Sequence, residues 1–311
     1  MHAKDIYGFN YDGSWGTSGL DLWQHHQHGT MAKEVALGKR YFPGWNTARW
    51  WLSNEAFERG PDVFVENFDA GLGIFARHGI RVVPVVFNRW RDPTCDFGGV
   101  PLDHIVRNAS SWTSRETLFV GKDPKSIAEG SIEWMHWRYL SRVVGAFAND
   151  DRIVAWDLCN EPLMGHYVDD AESPLRQDEV RWLGWVFDIC KALGTRQPLT
   201  IGNYPGLKAL ELTEPISDVL SFHPYYWWNR PESIVGSKAK FEAFVDSCKE
   251  FADKIGKDLF ASETVWGAVD DAQHVAIMHY TLGVLRDRGI GFIVAPVRIN
   301  CPPEVTRFIF C

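Results

Sequence analysis

Short runs of β-branched and aromatic residues alternate along the chain with longer stretches in which apolar residues recur at every third or fourth position. This alternation is typical of parallel βαβ units, in which each strand is followed by a helix that packs on the sheet. Eight runs have the length and composition of buried strands. They span residues 6–11, 47–52, 81–87, 153–160, 198–204, 219–226, 258–264 and 291–297.

Apolar faces at helical spacing separate these runs. Phe64, Phe68, Leu72 and Phe75 form the clearest of these faces, whereas the segment before the second strand has a weaker helical pattern. Four glycines follow such stretches, where a helix commonly ends in the left-handed conformation that glycine adopts without strain. They are Gly79, Gly194, Gly256 and Gly289.

Eight strand–helix units without a linker or low-complexity segment predict an α/β fold, a (β/α)8 TIM barrel that forms a single domain over residues 1–311. The alternative is a doubly wound open sheet, which normally carries a phosphate-binding glycine loop after its first strand. Residues 8–16 occupy that position, and their glycine spacing does not fit such a loop. The closed barrel is therefore the prediction.

Two segments depart from a plain barrel. Residues 88–130 are too long for an ordinary connection, and long βα-loops lie on the catalytic face, so we expect this insertion to shape the cleft. After residue 297 only one short helix fits, with Pro303 near its start, so the C-terminal unit is expected to be atypical or shortened. Poor cover of the eighth strand predicts either a homo-oligomer or lowered stability.

Charge and targeting signals limit the expected partners. A net charge of −8 without any Lys/Arg run argues against nucleic acid and fits a neutral substrate. No window approaches 18 apolar residues, and the N-terminus does not have the pattern of a signal peptide. The six cysteines have no CxxC spacing. We therefore expect no membrane partner and a cytoplasmic protein with reduced, mostly buried thiols, or a secreted one if a signal peptide had been removed.

Fifteen tryptophans are the unusual feature of the composition. Most are expected in the core, but a pyranose presents an apolar C–H face to an indole ring, so the remainder are candidates for the walls of a sugar site. Trp266 is one candidate, since it lies close to Glu263. Further candidates are Trp15 and Trp90 on loops, and Trp50, Trp51, Trp227 and Trp228, of which alternation allows only about half to face a cleft.

Two glutamates stand at predicted strand ends. Glu161 closes the fourth strand and Glu263 the seventh, and catalytic groups of this fold collect at the C-terminal ends of strands. Strands four and seven face each other across an eight-stranded barrel, so the two carboxylates can flank one glycosidic bond. A pair about 5–5.5 Å apart serves as acid/base and nucleophile, with a covalent glycosyl-enzyme between the two half-reactions.

Polar residues on neighbouring strands fit the needs of such a pair. The nucleophile must stay ionised, and we expect Arg49 to supply positive charge and Tyr225 a hydrogen-bond donor. The acid needs a raised pKa, which comes from partial burial and the neighbouring carboxylate. Asn160 is positioned to bond a sugar 2-hydroxyl, an interaction that strengthens in the transition state.

Together these motifs resemble clan A glycoside hydrolases, and most closely glycoside hydrolase family 5, the cellulase family. The resemblance follows strand order over nearly the whole chain: Arg49 in the second strand, Asn160-Glu161-Pro162 after the fourth, His223-Pro-Tyr225 at the sixth, and Glu263 ending the seventh. It implies that Glu161 is the acid/base and Glu263 the nucleophile. It also implies a retaining mechanism, a β-linked carbohydrate substrate, binding roles for His223 and Tyr225, and no cofactor.

The chain departs from that family after the third strand, where a histidine is common. It has Phe87-Asn88-Arg89-Trp90 instead, so either Asn88 replaces the hydrogen bond or Arg89 marks a different subsite. The tryptophan that usually ends the eighth strand is also missing, which leaves the subsite at that strand open.

Two other classes of function remain as alternatives. A metal-dependent barrel hydrolase needs histidines at strand ends, but the dense cluster His25-His26-Gln27-His28 lies in a helical segment, where a solvated face or cap is expected and no metal site. A carbohydrate-binding barrel with weak or no turnover is the third class. Sugar, linkage and endo or exo action depend on loops, so the catalytic motif leaves them open.

Overall fold

Eight parallel strands close into a barrel in the computed structural model, which describes residues 2–16, 18–89 and 129–295. Each strand pairs with its neighbours in sequence, and the last pairs with the first. The strands are β1 (Tyr7–Tyr11), β2 (Thr47–Trp51), β3 (Arg81–Asn88), β4 (Trp156–Asn160), β5 (Leu199–Asn203), β6 (Leu220–Phe222), β7 (Leu259–Ala261) and β8 (Gly291–Val294). The predicted (β/α)8 barrel is confirmed, and every predicted strand overlaps one of these.

Helices surround the barrel. Those in the described residues are α1 (Gly19–Gln24), α2 (His28–Tyr41), α3 (Asn54–Arg59), α4 (Pro61–Ala76), α5 (Ile132–Val143), α6 (Pro174–Ala192), α7 (Leu207–Thr213), α8 (Lys238–Ile255) and α9 (Asp271–Asp287). The four glycines expected at helix ends all have φ between +67° and +79°. None of the described helices is both long and apolar enough to cross a membrane.

The larger part of the core lies between the strands and the helices. Trp50 points outward from β2 and stacks on Trp23 of α1 at 4.8 Å between ring centroids, with Phe68 of α4 at 5.6 Å from Trp50. Trp15 donates from its indole to the carbonyl of Leu22 and also packs against this core. These tryptophans therefore belong to the packing of helices on the sheet.

A second apolar layer closes the N-terminal end of the barrel. Ile6, Val83, Ala155, Phe260 and Ile293 form one buried cluster there. Burying a side chain of this size stabilises a fold by about 1.5–3 kcal/mol. Because this layer fills the lower half of the barrel, the polar residues of the strands are left for the C-terminal half.

Some predictions fall on segments of which the structure describes little or nothing. Only residues 88, 89, 129 and 130 of the predicted insertion 88–130 are described, so Trp90 and Cys95 lie outside the described residues. The C-terminal segment 296–311, with Pro303, Cys301 and Cys311, lies outside them as well. The described cysteines, Cys159, Cys190 and Cys248, are buried free thiols.

The outer face of β1 and β8 carries aromatic side chains that reach solvent. Tyr7 packs edge-on against Phe292 with ring centroids 5.2 Å apart, and Phe9 packs against Phe42 at 4.7 Å. Tyr7 is 39% exposed and Phe42 47% exposed. These side chains form a partly exposed aromatic seam beside β1 and β8.

We expect this seam to cause self-association or a low melting temperature, because exposed aromatic surface favours contact with another molecule. Size-exclusion chromatography with light scattering and a thermal melt will measure both. Phe42→Ser is expected to reduce association, whereas Val63→Ser, which changes an exposed residue of α4, is not. A strictly monomeric protein that melts well above about 45–65 °C would contradict the prediction.

Candidate active site

Arg49 lies at the centre of the polar half of the barrel. It pairs in register with Asn10 on β1, and its side chain points inward while that of Trp50 points outward. The next inward residue is Trp51, whose ring centroid lies 4.7 Å from the guanidinium carbon of Arg49. The Arg49 side chain is fully buried, so its charge needs partners on every side.

Four side chains from three parts of the barrel supply those partners. The guanidinium donates to Asn10 on β1 at 2.8 Å, to Asp157 on β4 at 2.9 Å and to Asn160 at 2.7 Å. It also donates to Glu263 after β7. Burial disfavours the cation, but the negative charges of Asp157 and Glu263 outweigh burial and raise the pKa of Arg49. Arg49 therefore stays in its charged form, as arginine does in proteins generally.

An irregularity in β4 brings both Asp157 and Asn160 to Arg49. Residues three apart on a regular strand point to opposite faces. Between these two residues the pairing with β5 shifts, because Asp157 pairs with Thr200 and Asn160 pairs with Gly202. One extra residue on β4 thus re-aims the strand end, which is a common use of a β-bulge beside a functional site.

Glu263 receives two strong donors. Besides Arg49, the Tyr225 hydroxyl donates to its Oε2 at 2.6 Å. Burial alone would raise the pKa of Glu263, but the electrostatic effects of His223 and Arg49 and the hydrogen bonds from Tyr225 and Arg49 together lower it. Burial and the nearby carboxylates also raise the pKa of Tyr225 well above its usual value, so the phenol keeps its proton and remains a donor.

Glu161 lies beside Glu263 in a strained stretch of backbone. Its φ is +46°, in the left-handed region that is costly for a residue other than glycine. Its backbone N–H donates to the Gly202 carbonyl at 2.7 Å, and its Oε1 lies 2.6 Å from Nδ1 of His223. The residue is only 5% exposed, so position and contacts hold the carboxylate in one place.

One carboxylate oxygen from each glutamate and Nδ1 of His223 all lie within 4.8 Å of one another. Within the described residues this is the group that has the composition of a metal site. Its atoms are already engaged, however: Glu263 with Arg49 and Tyr225, and Glu161 with His223. A cation here would compete with the adjacent positive charge of Arg49.

The remaining residues proposed from the sequence lie around this centre. Asn160 donates from its amide to Oδ1 of Asn88 at 3.1 Å, and the two residues pair across β3 and β4. Trp266 packs edge-on against Tyr225 with centroids 5.6 Å apart. Trp228 belongs instead to a cluster with Val265, on the side of β8. Asn88 and Trp266 are therefore part of the same assembly as the glutamates.

Arg89 and the clustered histidines have structural partners. Arg89 donates to the fully buried Glu179 of α6 at 2.6 Å. His25 pairs with Asp21 at the surface. His26 is not on a solvated face, because it stacks on Trp23, and burial, with His28 nearby, lowers its pKa to about 4. Among the described residues, the group with metal-ligand geometry contains none of these histidines.

Sequence reasoning missed three members of the site. Asn10 and Asp157 both bond Arg49, and Gly202 leaves room for them. A Cβ on Gly202 would lie 2.8 Å from Asp157 Oδ2, 2.9 Å from His223 Nε2 and 3.0 Å from Arg49 Nη2. The available signal was a charged or amide residue inside an otherwise apolar parallel strand, since both faces of such strands are normally buried.

Comparisons with solved structures identify the fold. The hyperthermostable endo-1,4-β-D-mannanase from Thermotoga petrophila RKU-1 is similar over 93% of this chain and 87% of its own, with a TM-score of 0.61 and 16% identity. A GH5_18 protein from Streptomyces cattleya in complex with GlcNAc is similar over 98% and 74%, with a TM-score of 0.67 and 16% identity. A GH5 xyloglucan-specific endo-β-1,4-glucanase from a metagenomic library is similar over 97% and 90%, with a TM-score of 0.64 and 13% identity.

Sequence comparison alone finds no relative: no family model matches the chain, and neither does any curated protein. The likeness is thus one of fold, in which this chain shares a parallel barrel with glycoside hydrolases at 13–16% identity.

We expect Asp157→Asn to destabilise the protein by about 3–5 kcal/mol, because it removes one charge from a fully buried ion pair and leaves Arg49 undercompensated. Urea unfolding will measure the loss. The matched control is Asp246→Asn, whose partner Arg288 is at the surface and whose cost is expected to stay below about 1 kcal/mol. Equal losses in the two variants would contradict a central role for the Arg49–Asp157 pair.

Proposed function

We propose that this chain is a retaining β-glycoside hydrolase in which Glu263 is the nucleophile and Glu161 the acid/base. The observation that carries the proposal is the pair of buried glutamates with oxygens within 4.8 Å, in which Arg49 and Tyr225 both donate to Glu263. Two donors and a lowered pKa keep Glu263 ionised, as a nucleophile requires. We assign the role of acid/base to Glu161, whose Oε1 lies 2.6 Å from Nδ1 of His223.

The reaction follows from these positions in two balanced steps. Glu263 attacks the anomeric carbon while Glu161 transfers its proton to the glycosidic oxygen, so the C–O bond breaks and a glycosyl ester forms on Glu263. Glu161, now ionised, removes a proton from water, which attacks the same carbon and releases Glu263. His223, 2.6 Å from Glu161, positions the carboxyl through both steps.

The spacing of the carboxylates supports retention of configuration. An inverting enzyme keeps its two carboxyl groups about 6.5–9.5 Å apart because a water molecule must fit between one carboxylate and the sugar. One oxygen of Glu161 and one of Glu263 lie within 4.8 Å of each other, which is short for such an arrangement. They fit the shorter separation at which one carboxylate attacks the sugar directly.

The substrate class we propose is a β-linked oligo- or polysaccharide. The similar structures are named as an endo-1,4-β-mannanase and a xyloglucan-specific endo-β-1,4-glucanase, and the latter contains cellotriose. The rings of Trp51, which contacts Arg49, and Trp266, which contacts Tyr225, are suited to the apolar faces of pyranose rings.

We expect Glu263→Ala to abolish turnover and azide to restore it by forming an α-glycosyl azide in place of the lost carboxylate. Glu161→Ala is expected to lose roughly 10²–10⁴-fold on natural linkages and far less on activated aryl β-glycosides, because a good leaving group needs no acid. A panel of aryl glycosides and β-linked oligosaccharides, with product anomers followed by NMR, will measure both effects and the stereochemistry.

Glu66→Ala, which changes an exposed residue of α4, serves as the control for this pair and should keep full activity. First-formed α-anomeric products would refute retention. Binding of the oligosaccharides without hydrolysis by the unaltered protein would instead support the sugar-binding barrel that the sequence allowed.

The same proposal requires no metal ion, and exhaustive EDTA treatment is expected to leave activity unchanged. The reason is that the only described group with suitable ligands, Glu161, His223 and Glu263, is the proposed catalytic centre and already lies beside the Arg49 cation. Activity lost with EDTA and restored by zinc or manganese would move the protein to the metal-dependent hydrolases.

A further inference from the structure

Arg230 lies on the loop after β6, and its exposed side chain stands over two tryptophans. Its guanidinium carbon is 5.5 Å from the ring centroid of Trp227 and 5.6 Å from that of Trp266. These two rings are 5.7 Å apart with 60° between their planes. Attraction between a cation and a ring face holds the guanidinium in the angle between them.

The two tryptophans belong to an aromatic arc that runs between the two glutamates. Trp266 packs against Tyr225, which bonds Glu263, and Trp227 packs against Tyr204 at 5.9 Å. Burial raises the pKa of Tyr204; Glu161 raises it further and Arg230 opposes both. Tyr204 directly follows β5, two residues after Gly202, whose carbonyl accepts from the Glu161 N–H at 2.7 Å. Since Arg230 lies over Trp227, which packs on Tyr204, the arginine stands at the rim of the proposed cleft.

The guanidinium N–H groups of Arg230 have no acceptor among the residues that the structure describes. No residue that the structure describes accepts a hydrogen bond from its guanidinium or pairs with its charge, in contrast to Arg49 and Arg89. A guanidinium attracted to indole rings keeps its N–H donors available, and their geometry matches a carboxylate in two parallel bonds.

The backbone that carries Arg230 is fixed in advance. Its N–H donates to the Trp227 carbonyl at 2.9 Å, and its own carbonyl accepts from Ser233 at 3.0 Å. Lys240 of α8 donates to the carbonyl of Pro231 at 2.9 Å. A donor held in place before binding loses less conformational entropy when a ligand arrives, which raises affinity.

We infer that Arg230 determines specificity by binding the carboxylate of an acidic sugar, a uronate residue on the leaving-group side of the scissile bond. This rests on the proposed function and deepens it. The leaving-group side is chosen because Tyr204 and Trp227 lie toward Glu161, the group that protonates the departing oxygen. A protein of net charge −8 repels anions in general, so attraction of a uronate requires a local cation of this kind.

The experiment compares three β-linked disaccharides: a neutral one, the same with a uronate in the leaving-group residue, and the same with a uronate in the other residue. For the unaltered protein we expect kcat/KM to favour the leaving-group uronate by about tenfold, the size expected of a hydrogen bond to a charged group. In Arg230→Gln, kcat/KM for the leaving-group uronate should fall to about the value for the neutral disaccharide. The loss should come from a higher KM for the uronate, with kcat little changed. Arg230→Lys keeps the charge and should keep part of the preference.

Arg40→Gln removes an equal charge from an exposed position of α2 and should leave all three substrates unchanged. Equal losses on neutral and acidic substrates in Arg230→Gln would show that the residue only supports the loop and would overturn the inference. A preference for the uronate in the other residue, or none at all, would overturn it too.

Titration of tryptophan fluorescence with the same disaccharides separates this inference from the proposed function. If no glycoside is hydrolysed, the proposed function fails. In that case binding alone tests the role of Arg230. The role is overturned if the disaccharide with the leaving-group uronate binds no tighter than the neutral one, or if Arg230→Gln leaves the ratio of their affinities unchanged.

Discussion

The structure depends on how one buried cation is compensated. Arg49 is fully enclosed, and the free energy of burying an isolated charge would exceed the stability of the whole domain. Its partners come from β1, β4 and the loop after β7, which are distant in sequence and meet only when the barrel closes. The ion-pair network therefore ties closure of the barrel to assembly of the site, and the same contacts hold Glu263 in its charged form.

Gly202 shows how little space that network leaves. A single carbon at this position of β5 would contact Asp157, His223 and Arg49 at once, all at 3.0 Å or less. These three side chains could not easily move away from an added carbon, because each is buried and each has partners on other strands. Close packing of charged groups thus limits position 202 to glycine, although a glycine has no side chain that could take part in the chemistry.

The fold could be predicted because its signal is local. Each strand has its own apolar run, and the helix-ending glycines have the expected positive φ. The boundaries were less accurate at β6 and β7, where residues 223–226 and 262–264 were assigned to strands but lie beyond Phe222 and Ala261. These segments include His223, Tyr225 and Glu263, which meet at the site.

Only part of the polar network of the site could be predicted. Which side chains meet depends on the pairing register between neighbouring strands of the closed barrel, and the sequence does not state that register. Motifs at strand ends pointed to Glu161, Glu263, Arg49 and Tyr225. Nothing in the sequence states that Asn10 is beside Arg49 or that an extra residue in β4 turns Asp157 toward it. Arg230 was missed for another reason: its contacts with Trp227 and Trp266 join two loops, and loop conformation has no periodic signal.

The two proposed catalytic loops contain residues with strained backbone conformations. Glu161 has φ +46° and Val265, two residues after Glu263, has φ +72°, which is unusual for a β-branched side chain. Each such conformation costs about 1–3 kcal/mol and persists only where surrounding contacts fix it. Here the Gly202 carbonyl fixes the backbone at Glu161, and Thr264, bonded to the Pro224 carbonyl, fixes the turn before Val265. The contacts of the barrel thus hold the backbone on both sides of the site, and with it both carboxylates, in conformations that isolated loops would avoid.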